Sequence, residues 1–129
     1  MATFHIKMAA QKQYSLSALT EQLDNNPDFD SCSKTEHHFS DSHVVLLVFE
    51  QYFVRASGTI SLSVLLTETG DQQTADLIAT GGGEGLSWSG GACRSFAKDC
   101  AKILQTCGFW DLDPEPETKV SKLLNFFMD

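Results

Sequence analysis

Glycines gather at Gly81-Gly82-Gly83-Glu84-Gly85 and again at Gly90-Gly91, and Arg94, Lys98 and Lys102 follow at four-residue spacing. The plainer reading of the first is a tight turn or bulge, and of the second a solvated helix face. The sharper alternative is capture of a small anion. Glycine backbone can approach a ligand closely, free amides at a helix start donate to negative charge, and an arginine offers a planar fork. On that alternative the ligand-binding residues are Gly82, Gly83, Glu84, Gly91, Arg94 and Lys98. Trp88 supplies an apolar wall, and Glu50 orients Arg94.

Other chemistries lack their residues. No Gly-Lys-Ser or Gly-Lys-Thr follows the glycines, so they form no phosphate-binding loop of that kind. A dinucleotide fingerprint belongs after the first strand of a parallel unit, whereas these glycines follow an antiparallel meander. Ser87 has Ser89 where a nucleophile elbow needs its second glycine. The histidines His5, His37, His38 and His43 show no zinc spacing. A set of His37, His43 and Asp41 is the weak metal alternative, and no metal or cofactor is expected. With no complete catalytic constellation, no catalytic residue is assigned. Glu50 interrupts apolar strand sequence and, if buried, needs a partner.

Cys93, Cys100 and Cys107 are spaced by seven on one expected helix. Successive members then lie about 10 Å apart, beyond the roughly 7 Å that a disulfide spans. Four reduced thiols are expected, three of them on an apolar helix face. The opening Met1–Lys7 holds no long apolar run, and cytoplasmic location is the expectation. The chain of 129 residues carries 17 acidic against 9 basic side chains, a net charge of -8. That disfavours nucleic acid and anionic lipid as partners.

The elements that would position these residues follow from periodicity. Residues 3–8 alternate as a half-buried strand. Ser15 caps a helix carrying Leu16, Leu19 and Leu23 on one face, stopped near Pro27. Residues 29–38 are ambiguous and suit a polar edge strand. His43 to Arg55 is a strand apolar on both faces at its start, which predicts cover on both sides. Thr59 to Thr67 alternates cleanly, with one covered and one wetter face. A shorter strand spans about 73–79, and short links make the neighbours antiparallel. The principal helix is expected over Ala92–Cys107, with Gly108 as its C-cap residue. The result is an α+β two-layer domain, an antiparallel sheet of four to five strands packed by helices. One domain spans 1–129: a core over 1–108, a proline-containing link over 109–117, and a C-terminal helical tail over 118–128.

The run Val48-Phe49-Glu50-Gln51-Tyr52-Phe53-Val54-Arg55, then Ser61-Leu62-Ser63-Val64 and Gly81-Gly82-Gly83-Glu84-Gly85-Leu86, resembles a family of small bacterial proteins known only as a domain of unknown function. The resemblance covers about residues 44–104 and continues weakly into Trp88-Ser89-Gly90-Gly91 and Phe96. It implies the fold unit and a bacterial origin, and brings no activity, cofactor or catalytic residue. Near Ser89 the family is more acidic, which weakens the transfer of any site there.

Three functions compete. The first is a noncatalytic bacterial domain binding a protein or a small, anionic ligand. The second is an enzyme acting on a small anionic substrate through the glycine-loop region. The third is a structural homo-oligomeric protein joined through its tail helix or a sheet edge.

Overall fold

The computed structural model of the chain describes residues 2–81 and 88–114. The glycines at 82–85 and the tail helix expected over 118–128 lie outside these residues. Six strands and two helices follow in the order β1 (Ala2–Gln11), α1 (Leu16–Asp24), β2 (Asp30–His38), β3 (Ser42–Phe53), β4 (Gly58–Thr69), β5 (Gln72–Gly81), α2 (Trp88–Thr106) and β6 (Trp110–Asp111), with a 3-10 turn at Val54–Ala56. The fold is α+β. One antiparallel sheet, in the order β2-β3-β4-β5-β1-β6, is packed by the helices.

Local chemistry explains the element ends. The Ser15 hydroxyl accepts from the Ala18 amide at 3.0 Å, closing the α1 N-terminus. Gly108, at φ +93°, ends α2: its amide donates to Gln105, and the Phe109 amide reaches back to Leu104.

The helices cover one face of the sheet. Ile6, Met8, Val45, Leu47, Phe49, Ile60, Leu62, Val64, Leu66 and Leu77 point into it from the strands. Leu16, Leu19, Leu23, Phe96, Cys100 and Leu104 meet them from the helices. An aromatic cluster locks the layers, with Phe29 5.4 Å from Phe49 and 5.2 Å from Phe96, and Phe53 5.7 Å from Phe96.

Three expectations are corrected. Among the described residues the sheet has six strands rather than four to five, because Trp110–Asp111, inside the expected link, pairs with Met8 and Ala9. The start of β3 is not covered on both sides. Val45 and Leu47 are buried, but Leu46, on the other face, is 39% exposed. Helix α2 begins at Trp88 rather than Ala92, so Gly90 and Gly91 lie in its first turn instead of preceding it. Glycine weakens a helix by roughly 1 kcal/mol against alanine, and here the packing of Ala92, Cys93 and Phe96 outweighs that. The ambiguous 29–38 segment resolves into a buried Phe29 and a fully exposed edge strand. No helix among the described residues is long and apolar enough to cross a membrane.

Candidate functional site

Side chains alternate across a strand, so the burial of Phe49 sends Glu50 to the face away from the helices. Arg94 and Lys98 stand on α2, over the opposite face. The structure therefore does not bring Glu50 to Arg94: the sheet separates them. Glu50 instead lies beside Asp30 on β2 and Ser61 on β4. Its titratable neighbour is Cys32, whose thiol pKa is raised by desolvation and then by Glu50 and Asp30. Arg94 and Gly91 are exposed and Lys98 is half-buried. Trp88 opens the helix backbone, and Gly82, Gly83 and Glu84 lie outside the described residues. At this end of the sheet the buried Gln51 Oε1 has no hydrogen-bond partner among the described residues. An acceptor oxygen there suits a donor rather than an anion.

Lys102 lines a shallow groove of about 520 Å³ between the helices, with Gln22, Asn25, Asn26, Pro27, Ile103 and Thr106. Among the described residues no carboxylate, histidine or thiol lines it, so these residues offer neither an acid–base pair nor a nucleophilic thiol. All four cysteines are free, with Cys32 exposed and the other three buried. Burial, and then Asp99, pushes the Cys100 thiol up to about 12, so it stays protonated.

The sheet face that α1 and α2 leave open carries a different pattern. Along β3 it presents Val44, Leu46, Val48, Glu50 and Tyr52, with Tyr52 62% exposed. Leu46 sits opposite Leu65 on β4, and Ser63 on β4 sits opposite Ile78 on β5. Toward β1 the face turns polar, and His5 Nε2 lies 3.0 Å from Asp76 Oδ1. Beside the β3 stripe runs β2, whose outer edge has no strand neighbour among the described residues. Its register shifts between Ser31 and Ser33, and it carries Asp30, Lys34 and Glu36. A bulge and charges are the usual means of keeping an edge from indiscriminate pairing.

A second constellation forms where β2 turns into β3. His38 and His43 are direct cross-strand partners, and their rings stack at 3.9 Å and 19°. Glu36, two residues before His38, projects from the same face of β2. Its Oε1 lies 3.0 Å from His38 Nε2 and 2.6 Å from His43 Nε2. The hydrogen bond with His43 is the largest influence holding the Glu36 carboxyl below its ordinary range; desolvation opposes it and His38 reinforces it. Next along the same row, Glu68 on β4 faces His43. Lys12 Nζ lies 3.2 Å from Glu68 Oε2, and Gln73 Nε2 donates to its Oε1 at 2.8 Å.

The expected grouping of His37, His43 and Asp41 is not the one that assembles. His37 points to the other face and stacks with Phe39. The signal in the sequence is parity: Glu36 and His38 share a face of a strand, and a three-residue link from Phe39 to Asp41 before Ser42 puts His43 opposite His38.

No match to a curated protein was found. A family model described as "Family of unknown function (DUF6054)" matches residues 1–108, so over most of its length the chain belongs to that uncharacterised family.

Proposed function

We propose that the chain is a noncatalytic bacterial domain that binds a protein partner along the β2 edge and the adjoining open face of β3. The observation that carries this reading is the stripe of exposed Leu46, half-buried Val48 and exposed Tyr52 beside a strand edge with no strand neighbour among the described residues. A partner segment laid as a further strand would satisfy the free amides and carbonyls of β2. Its alternate side chains would cover the stripe. Between a protein and a small ligand, this surface favours the protein, because it is long and flat rather than concave. The buried, protonated thiol of Cys100 and the seven-residue spacing of the helical cysteines support a reducing, cytoplasmic setting.

The test is site-specific photo-crosslinking in cells, with the reactive side chain placed at Leu46 or Tyr52, or at Gln105 on the helical layer. A discrete adduct to one other protein from the two sheet positions and not from Gln105 is expected. An adduct to a second copy of the chain would replace this reading with the homo-oligomeric one. The absence of any adduct at the sheet positions would overturn it.

A further inference from the structure

We propose that Glu36, His38 and His43 form a binding site for a divalent transition-metal cation of the zinc type, on the hairpin joining β2 and β3. Three observations converge on it. The donor atoms are of the right kind, two imidazole nitrogens and one carboxylate oxygen, and all lie within 4.8 Å of one another. Imidazole and carboxylate together are a common zinc set, leaving a fourth position to water. Both rings present the same nitrogen, Nε2, to the single oxygen Glu36 Oε1. A tetrahedral ion needs adjacent donors roughly 3.4 Å apart at bond lengths near 2.1 Å. The observed 3.0 and 2.6 Å separations differ from that by less than an ångström.

The second observation is the rigidity of the frame. Glu36 and His38 are held by strand register, and the turn is closed by the Phe39 amide donating to the Ser42 carbonyl at 2.7 Å. Preorganised donors lose little entropy on binding. The third is Glu68. It sits beside His43 on the next strand, and Lys12 and Gln73 fix its carboxylate. Paired with Lys12, this carboxylate brings little net charge, but it keeps the surroundings of the His43 imidazole polar.

The proton balance is simple. A carboxylate only accepts, so a ring bonded to Glu36 donates from Nε2–H. On binding, the cation takes the place of those protons, which move to Nδ1 as the tautomer changes, or leave to solvent where the ring was cationic. Glu36 and His38 are exposed and His43 is half-buried, and by alternation His43 projects from the face of β3 opposite to the Leu46–Tyr52 stripe, so zinc binding by the isolated chain is read separately from partner binding.

The experiment is calorimetric titration of the full chain with Zn²⁺ alone, without a histidine tag and in a Cys32→Ser background that removes the one exposed thiol. One equivalent should bind with a Kd of about 10 µM or tighter. His38→Ala and His43→Ala should each weaken it by roughly tenfold or more, and Glu36→Gln should weaken it too. His37→Ala, its ring on the other face, should leave it unchanged. Nitrogen-15 spectra should show the Nε2 signals of His38 and His43 shifting while those of His5 and His37 stay. Far-UV circular dichroism of each variant should match wild type, since the hairpin tip is exposed; His43→Gln serves if His43→Ala does not fold. No saturable binding up to about 1 mM Zn²⁺, or binding that survives loss of both His38 and His43, would overturn the proposal.

Discussion

Replacing Gly81 by alanine separates what the backbone requires from what mere loop composition would tolerate. Gly81 ends β5, pairs with Ala2 on one side and Ile60 on the other, and has φ +128°. L-residues rarely adopt that angle, and the strain is worth about 1–3 kcal/mol. A Cβ placed there would also meet the Thr59 carbonyl oxygen at 2.9 Å and the Ile60 Cα at 3.5 Å. Those are backbone atoms of a paired strand, so relief means moving the ladder, a cost of about 1–3 kcal/mol by analogy with overpacked cores. The smaller entropy of the unfolded alanine chain offsets about 0.4–1 kcal/mol. The net loss is about 3 kcal/mol. Gly70, in the β4–β5 turn at φ +60°, is the control, because a Cβ there meets nothing within 4 Å. Only left-handed strain applies, so Gly70→Ala should cost about 1 kcal/mol. Urea unfolding followed by circular dichroism measures both, and Gly81→Ala should also lower the melting temperature by roughly 10 °C. Equal losses in the two variants, within about 0.5 kcal/mol, would refute the claim that close approach at Gly81 dictates glycine there.

Native protein should expose one thiol, Cys32, to a water-soluble disulfide reagent, and denatured protein four. Two or more fast-reacting thiols in the native state would contradict the burial of Cys93, Cys100 and Cys107. Because desolvation and then Glu50 raise the Cys32 pKa, Glu50→Gln should speed its modification at pH 8 by about twofold. The Glu36 carboxyl is depressed in the folded state, chiefly by His43. It therefore contributes stability that is present above its unfolded pKa and is lost as pH falls through the folded value. Acid unfolding should be less steep in Glu36→Gln, and an identical profile in that variant would remove the carboxyl from the account.

The elements that local chemistry decides were legible in the sequence. The Ser15 cap, the Gly108 stop and the alternation of Thr59–Thr67 need no knowledge of distant partners. What escaped depends on tertiary contacts. Trp110–Asp111 is a strand only because β1 offers it an edge, and nothing local distinguishes it from a link. Gly90-Gly91 reads as a loop by propensity, whereas burial of Phe96 and its neighbours carries the helix back to Trp88. The apolar outer face of β3 resembles a buried strand because composition cannot say whether a layer lies above it. The histidine cluster turns on register: a one-residue slip would set His37, not His38, across from His43. The expected pairing of Glu50 with Arg94 failed for a related reason. Parity fixes which face a strand residue takes, but which face the helix will cover is decided by the whole sheet.

Strand β1 is the first element of the chain, yet it lies inside the sheet between β5 and β6. Its partners arrive late: Ala2 pairs with Gly81 and Gln11 with Gln72. During synthesis the hairpins from β2 to β5 can close through neighbouring residues while β1 waits for β5 to emerge. Long-range pairing of this kind slows folding relative to local closure, because the intervening chain must first be gathered in. The leading strand thus locks after β2 to β5, and β6, which among the described residues pairs with β1 alone, cannot dock before it. Until then the β5 edge stands open, a stage at which nascent chains can pair with one another. Once β1 is inserted, its removal would not trim an end but split the sheet.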